Sequence, residues 1–305
     1  MSMKTLSNNG LTWIHFDVGN EETLQYLKRE YTFHPLDLED VAAEQQTPKI
    51  DIYKNYLFIV LLLPFTRDNS QTIAPHEINL FVGDNYVITI QSTKSKETNN
   101  LFSGWLSNPA TKTEWMKLGS GYLLYSIIEA LFENARPVLN SIGKKISVLE
   151  NEIFETDPHS GIIRELSFHR RNVLNFRRTL DPERQTIPHI YSQKSFLGPD
   201  LHVYFDDIND TINNMWTIIN TYKDTLDTLH STVESLINRK TSKIITTLTV
   251  ISVALLPLNL FASIYGMNIP GLPFAHSPVW VWIIFGVLSA VVATFAIIMR
   301  REKWL

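Results

Sequence analysis

Residues 243–268 read KIITTLTVISVALLPLNLFASIYGMN, and the rest of the chain is interpreted outward from this stretch. It carries about 22 residues without a formal charge, and a helix of that length crosses a hydrocarbon layer of roughly 30 Å. A second uncharged run, residues 279–299, follows after the short segment IPGLPFAHSP. Because backbone polar groups must be satisfied inside a bilayer, we expect the two runs to form a helical hairpin across it.

One side of the first run carries polar side chains at helical spacing. Steps of three and four residues place seven positions on one face of one helix. These positions, called here the polar stripe, are Ser242, Ile245, Thr249, Ser252, Leu256, Asn259 and Ser263. An amide in hydrocarbon needs a hydrogen-bond partner, so the stripe is expected to meet another helix or water. Contact between helices explains serine and threonine alone, whereas the full stripe favours a water-lined axis.

Two helices cannot enclose a channel. If the polar stripe lines a pore, several copies of the chain must form a ring and each must contribute one first-run helix. A homo-oligomer is therefore a consequence of the transport interpretation.

Basic residues predict the orientation in the membrane. Arg239, Lys240 and Lys243 precede the first run, the segment between the runs has no Lys or Arg, and basic residues return at 300–303. By the positive-inside rule, both termini of a multi-pass protein in the cell membrane are predicted to be cytoplasmic.

The composition excludes several classes of protein. The 305 residues carry a net charge of −4 and contain no cysteine. No basic domain indicates nucleic acid, and disulfides and thiolate metal sites are excluded, in agreement with a reducing compartment. The N-terminus lacks the apolar segment of a secretory signal. No catalytic constellation can be assembled from the residues present, so an enzyme is not predicted.

The first part of the chain is predicted to be mixed α/β. Strands are predicted at residues 11–18 and as one long run over 51–65, with a helix at 21–31 between them. Residues 76–91 predict two strands joined by Gly83-Asp84-Asn85, flanked by loops at 72–75 and 92–100.

Two clusters of titratable residues here have two interpretations. His34, Asp37, Glu39 and Asp40 suit a metal or acid–base site, but Pro35 also predicts a helix whose first turn accepts carboxylates, and this second interpretation is favoured. His76-Glu77 is interpreted as strand surface rather than a ligand pair.

The later part of the chain is predicted to be helical. Helices are predicted to be interrupted at Pro137 and to end at Asp181-Pro182. Between Asp200 and Leu256 there is no Gly or Pro, which predicts a helix of up to roughly 85 Å. The predicted organisation is a cytoplasmic α/β domain (1–120), a helical hairpin (121–198), a stalk helix (199–243), a first transmembrane helix (244–268), an external loop (269–278), a second transmembrane helix (279–299) and a basic tail (300–305).

Several motifs together resemble one known family. YGMN at residues 265–268, Pro257 in the preceding run, the two-span C-terminus and the ending EKWL are similar to those of the CorA family of divalent-cation transporters. The similarity extends over nearly the whole chain, through FHPLDLEDV, TPKIDIYKNYLFIVLLL, FVGDNYVITI, VLNFRRTLDPERQ and YFDDINDTIN.

This resemblance implies a funnel-shaped homopentamer that conducts Mg²⁺, and often Co²⁺ or Ni²⁺, driven by the membrane potential and without a resident cofactor. It implies that Tyr265, Gly266, Met267 and Asn268 form the outer mouth where a hydrated ion enters. It further implies that Asp207, with Asp206 and Asp210 nearby, binds regulatory Mg²⁺ between subunits and keeps the channel shut.

Departures from the family pattern leave the identity of the transported ion undecided. The loop 269–278 has no acidic residue, which weakens the electrostatic concentration of cations at the mouth. This neutral loop resembles the zinc-transporting branch of the superfamily, and His276 adds a weak indication of Zn²⁺ transport, with or without proton coupling. A membrane-anchored scaffold is the alternative from another class, although it needs no polar stripe. The sequence does not determine which divalent ion is selected or whether the resting channel is open or closed. It also does not identify a second ligand of the regulatory metal, and it gives the number of subunits only through the family resemblance.

Overall fold

The structure is a computed structural model that describes residues 3–43, 46–66, 71–92, 102–104, 110–155, 160–190, 201–267 and 278–301. It divides into two compact units, an N-terminal unit Met1–Leu229 and a C-terminal unit His230–Leu305. The mixed α/β part followed by a long helix and a terminal apolar helix agrees with the predicted fold class.

The N-terminal unit contains a six-stranded sheet in the order β1-β2-β6-β5-β4-β3. Strands β2 and β6 are parallel, and every other neighbouring pair is antiparallel. The strands are β1 Met3–Asn8, β2 Leu11–Phe16, β3 Lys49–Ile52, β4 Tyr56–Thr66, β5 Ile73–Gly83 and β6 Tyr86–Gln91.

Seven helices are described besides a short helical turn at residues 102–104. They are α1 Glu21–Glu30, α2 Pro35–Ala42, α3 Ala110–Leu118, α4 Ser120–Glu155, α5 Ser160–Ile190, α6 His202–Tyr265 and α7 Pro278–Arg301.

The sheet is covered on both faces. Helices α1 and α2 pack on one face, where Phe33 stacks on Phe81 with ring centroids 4.1 Å apart. Helices α4 and α5 contact the other face along β4 and β5. Strand β4 is therefore buried on both sides, which explains its nearly continuous apolar sequence YLFIVLLL.

A hairpin at the N-terminus was not predicted. Strands β1 and β2 pair through Asn9 and Gly10, which have φ of 50° and 81°. An Asn-Gly pair with positive φ at both positions is typical of the two-residue turn that joins antiparallel strands, so the signal was present in the sequence.

Two strand predictions need correction. The run predicted over 51–65 is divided between β3 and β4, because Tyr53 turns the chain and its N–H donates to the carbonyl of Tyr56 at 3.0 Å. The loop predicted at 72–75 is wrong beyond its first residue, since β5 begins at Ile73 and pairs with β4 along its full length.

The predicted helix breaks are also wrong. Helix α4 continues through Pro137, and α5 continues through Pro182 and Pro188. An interior proline costs about 3 kcal/mol of helix stability. In α5 this cost is offset by tertiary packing, because Leu180, Glu183 and Ile187 around Pro182 are fully buried.

The predicted stalk is confirmed as a helix, since α6 runs for 64 residues without a break. Its apolar side chains repeat every three or four residues and are buried in the N-terminal unit: Phe205, Ile208, Ile212, Met215, Ile219, Leu226 and Leu229. Tyr222 comes so close to α4 that a Cβ added to Gly143 would clash with its hydroxyl oxygen. Close packing at this point therefore depends on glycine.

Candidate ion-conduction face

The polar stripe lies on α6 in the C-terminal unit, and all seven of its side chains are exposed within the single chain. Even its two large apolar members are open, with Ile245 at 58% and Leu256 at 61% exposure. The stripe is therefore not sealed inside one copy of the protein.

The covered side of this part of α6 is the opposite one. Its half-buried or buried positions are Thr247, Val250, Ala254, Leu258 and Phe261. Most of these follow or precede a stripe residue by two positions, which is about 200° around a helix. Helix α7 has matching half-buried positions, namely Val281, Ile284, Leu288 and Val292. The more covered side of this part of α6 therefore lies away from the polar stripe.

The hydroxyl groups of the stripe are partly satisfied by their own helix. Thr249 Oγ1 donates to the carbonyl of Ile245, and Ser252 Oγ donates to the carbonyl of Leu248, both at 2.8 Å. Such bonds to the preceding turn allow hydroxyl side chains to lie in an apolar environment. These two residues therefore do not distinguish water from lipid.

Asn259 is different. Within the part of the chain that the structure describes, its side-chain amide has no hydrogen-bond partner, and the residue is exposed. Pro257, two residues earlier, has no N–H, so the carbonyl of Val253 also lacks its helical donor. This turn of α6 therefore presents polar groups that require water, an ion or a second copy.

The far end of α6 leads into the predicted outer mouth. Tyr265 is the last helical residue, and the N–H of Gly266 donates to the carbonyl of Ala262 at 2.9 Å. A Cβ at Gly266 would lie 2.9 Å from that same carbonyl oxygen, so a glycine suits this close approach. Met267 follows and is exposed. Asn268 and His276 lie outside the described residues, and their predicted roles stay predictions.

Helix α6 is long and apolar enough to cross a membrane, and Val279–Phe295 forms a shorter apolar stretch within α7. The apolar half of α6 exposes almost all of its large side chains, which is typical of a surface that meets lipid or other subunits rather than water.

The three aspartates predicted to bind regulatory metal lie near the start of α6. Asp206 accepts from His202 Nδ1 at 2.7 Å, while Asp207 and Asp210 are exposed. Asp207 lies close enough to Tyr125 that its charge contributes to a raised pKa of that hydroxyl, after burial and the hydrogen bond to Glu129. Among described residues the three carboxylates do not converge on one point in a single chain.

A different carboxylate cluster does converge. Oxygens of Asp37, Asp40 and Asp51 lie within 4.8 Å of one another. Lys49 Nζ pairs with Asp40 at 2.6 Å and with Asp51 at 2.5 Å, so an ammonium group already offsets part of the negative charge of the cluster. Asp51 was missed from the sequence because it lies on β3, outside the helix that carries Asp37 and Asp40.

Asp37 is held by two hydroxyl groups. Tyr53 and Tyr56 donate to its two carboxylate oxygens at 2.8 and 2.7 Å. Burial raises the pKa of Asp37, and these hydrogen bonds only partly oppose that shift. The helix predicted from Pro35 is confirmed, with the His34 side chain accepting from the N–H of Leu36 as its N-cap. The arrangement is that of a satisfied structural cluster.

His76 and Glu77 are buried, so their interpretation as strand surface is wrong. They point to opposite faces of β5 and cannot form a ligand pair. His76 Nε2 bonds Gln91 Oε1 at 3.0 Å, and Glu77 accepts from Asn79 Nδ2 at 2.9 Å and the N–H of Gln46 at 2.8 Å.

Comparison with known proteins gives consistent results. The family described as "CorA-like Mg2+ transporter protein" matches residues 8–301. The cobalt/magnesium transport protein CorA of Thermotoga maritima is 27% identical over 306 residues, covering 96% of this chain and 83% of that protein. The zinc transport protein ZntB of Yersinia pseudotuberculosis is 19% identical, covering 96% and 88%.

The fold also matches a solved structure. The CorA magnesium transporter from Methanocaldococcus jannaschii superposes with a TM-score of 0.83 at 20% identity, covering 100% of this chain and 95% of that chain. The arrangement of sheet, long helix and terminal helix is therefore shared along the whole length.

Proposed function

The chain belongs to the CorA-like Mg²⁺ transporter family, and we propose that it transports divalent cations, chiefly Mg²⁺ and also Co²⁺ or Ni²⁺, through a pore formed by identical subunits. The observation that carries this proposal is the polar stripe itself, which is exposed along its whole length on the less covered side of α6. In a ring of subunits, that face lines a central pore and contacts water and ions instead of lipid. The family resemblance points to five subunits.

The chemistry of the stripe suits a hydrated divalent ion. Mg²⁺ gives up its water shell reluctantly and is well served by neutral oxygen acceptors that bind the outer waters. The Asn259 amide, together with the hydroxyls of Ser242 and Ser263, supplies such groups. Tyr265, Gly266, Met267 and Asn268 are proposed to receive the ion at the outer mouth.

The membrane potential supplies the driving force. A divalent ion gains about 4.6 kcal/mol per 100 mV, at about 2.3 kcal/mol per unit charge. In this proposal both termini are cytoplasmic, α6 and α7 span the cell membrane as a hairpin, and the loop between them faces outward.

Regulation is proposed to act through α6. Mg²⁺ bound between subunits by Asp207, with Asp206 or Asp210, keeps the ring closed, and loss of that ion at low cytoplasmic Mg²⁺ releases it. The aspartates and the polar stripe lie on the same helix, so a tilt or turn of α6 is a mechanical route from sensor to pore.

Zn²⁺ transport is the second candidate. It is favoured by the loop 269–278, which has no acidic residue, and by the similarity to ZntB. Proton coupling belongs to this alternative.

Flux through purified protein in liposomes tests the proposal. Uptake of Mg²⁺, Co²⁺, Ni²⁺ and Zn²⁺ is measured in competition at low and high internal Mg²⁺. Mg²⁺ uptake that high internal Mg²⁺ suppresses supports the main proposal. Uptake of Zn²⁺ alone supports the second candidate, and absence of any flux contradicts both.

A further inference from the structure

Four aromatic side chains meet where the first turn of α6 packs against α3 and α4 in the N-terminal unit. This aromatic cluster consists of Trp115, Tyr122, Tyr125 and Tyr204. The Tyr204 ring contacts all three others, with centroid separations of 5.8 Å to Trp115, 5.4 Å to Tyr122 and 5.0 Å to Tyr125. The interplanar angles are 88°, 77° and 60°, and edge-on packing of this kind is favourable for aromatic pairs. Tyr204 therefore links α6 to the rings of two other helices.

The aspartate of the proposed regulatory site lies beside this cluster. Asp207 follows Tyr204 by three residues, so the two side chains are neighbours on one face of α6. Burial and a hydrogen bond of 2.9 Å to Glu129 raise the pKa of Tyr125, and the charge of Asp207 adds to this shift. Asp207 is exposed, and within the described chain its carboxylate has no hydrogen bond or ion pair. Its position therefore depends on how firmly its turn of the helix is held.

The beginning of α6 requires such an anchor. Helix ends fray, because their outermost N–H groups have no partner within the helix. Phe205 and Ile208 are buried and hold one side of the first two turns. Tyr204 is half-buried and holds the side that carries Asp207. Loss of the Tyr204 ring would therefore loosen the face of Asp207, while the buried residues keep the helix attached to the N-terminal unit.

The ring of Tyr204, and not its hydroxyl group, makes these contacts. The hydroxyl forms no hydrogen bond within the part of the chain that the structure describes. Tyr125 differs, because its hydroxyl donates to Glu129 Oε1. A phenylalanine at position 204 therefore keeps the packing of the cluster, whereas a leucine removes the aromatic contacts. This pair of substitutions separates the effect of the ring from that of the hydroxyl.

We propose that Tyr204 is a positioning residue for the regulatory site. Its ring, packed on α3 and α4, fixes the first turn of α6 and thereby the direction in which Asp207 meets the neighbouring subunit. This inference rests on the proposed function and adds a residue to its regulation. An aspartate oxygen suits Mg²⁺, and Mg²⁺ demands nearly ideal ligand geometry. The concentration at which Mg²⁺ binds therefore depends on how firmly Asp207 is held.

The cluster also provides an optical signal that does not depend on transport. Trp115 lies on α3, outside the helix that carries Asp207, and its indole ring contacts Tyr204. Binding of Mg²⁺ at Asp207 tightens the first turn of α6 and thereby changes the surroundings of this indole. The fluorescence of Trp115, measured as the difference between each protein and its Trp115→Phe counterpart, should therefore respond to MgCl₂.

Uptake by the full-length protein in liposomes tests the inference, together with the Trp115 signal in detergent. Tyr204→Leu is expected to raise the internal Mg²⁺ concentration for half-maximal inhibition by roughly 5-fold, the lower end of ordinary coupling between sites. Its uptake at low internal Mg²⁺ should stay near that of the wild type, and the Mg²⁺ titration of the Trp115 signal should shift by the same factor. Tyr204→Phe should behave as the wild type does. Val203→Ala is the matched control, because Val203 is the preceding residue of α6 and is 74% exposed.

Inhibition of Tyr204→Leu at the wild-type Mg²⁺ concentration overturns the proposal, and so does an equal loss of inhibition in Tyr204→Phe. A Trp115 signal that does not respond to Mg²⁺, while uptake is still inhibited, also overturns it. If Tyr204→Leu does not assemble in gel filtration, Tyr122→Leu removes one ring contact from the side of α4 and is expected to shift the inhibition in the same direction. Absence of flux or of inhibition in the wild type contradicts the proposed function, whereas inhibition that stays unshifted contradicts only this inference.

Discussion

Replacing Asn259 with leucine removes the one stripe amide that has no partner within the described chain. Because the side chain is exposed and makes no hydrogen bond there, the change leaves α6 intact, and leucine has a slightly better helix propensity. A change in flux caused by this substitution therefore reports on what this face contacts and not on a loss of helix structure.

The expected effect follows from hydrogen bonding to the hydrated ion. Each lost hydrogen bond costs about 0.5–1.5 kcal/mol net. If two amides of the ring contact the ion's water shell at once, the barrier rises by about 2 kcal/mol, which slows flux by about 30-fold. If the stripe faced lipid, leucine would instead stabilise the protein and leave flux unchanged.

The assay is Mg²⁺ uptake into liposomes with equal amounts of assembled protein. Thr294→Val is the matched control, because Thr294 is an exposed polar residue of α7 whose hydroxyl donates to the carbonyl of Ala290. Its uptake should stay near that of the wild type. Undiminished uptake by Asn259→Leu, with a raised melting temperature, would refute the assignment of this face to the pore.

Three further predictions concern the N-terminal unit. Burial raises the pKa of Glu183 in the folded protein. The stability linked to this group is therefore present at low pH and is lost as the pH rises above the usual pKa range of glutamate. The free energy of unfolding falls by about 1.4 kcal/mol per pH unit until the folded-state pKa is reached. Glu183→Gln keeps an acceptor for the N–H of Leu62, so its melting temperature should fall less between pH 5 and pH 8 than that of the wild type; parallel curves contradict this. Asp207→Asn should reduce the inhibition of uptake by internal Mg²⁺, and unchanged inhibition argues against the sensor role. Gly143→Ala should lower the melting temperature through its clash with Tyr222, and Tyr222→Leu should restore part of the loss if that contact is the cause.

Local signals predicted the regular elements of this chain well. The absence of Gly and Pro after Asp200 gave the long helix, and Gly83-Asp84-Asn85 gave the turn between β5 and β6. Errors arose where tertiary packing opposed a local preference. Pro182 is a helix breaker by itself, yet buried neighbours hold α5 together around it. The Asn9-Gly10 turn was readable but is flanked by a strand with little apolar pattern.

The candidate sites could be predicted from the sequence to different degrees. The polar stripe could be identified from spacing because one helix supplies every member. The Asp37 cluster could not, because Lys49 and Asp51 reach it only through the pairing of β3 with β4.

The polar stripe is not uniform, and this determines which of its residues can test the proposed pore. The hydroxyl groups of Thr249 and Ser252 donate hydrogen bonds to carbonyl oxygens of their own helix. These two side chains can therefore face lipid, water or a neighbouring subunit. The turn that contains Pro257 and Asn259 lacks such hydrogen bonds within the described chain. The carbonyl of Val253 has no helical N–H donor, and the Asn259 amide has no partner. In hydrocarbon each of these groups would be costly. If the proposed pore exists, this single turn is therefore the part of the stripe that gains most from water or from a second copy of the chain.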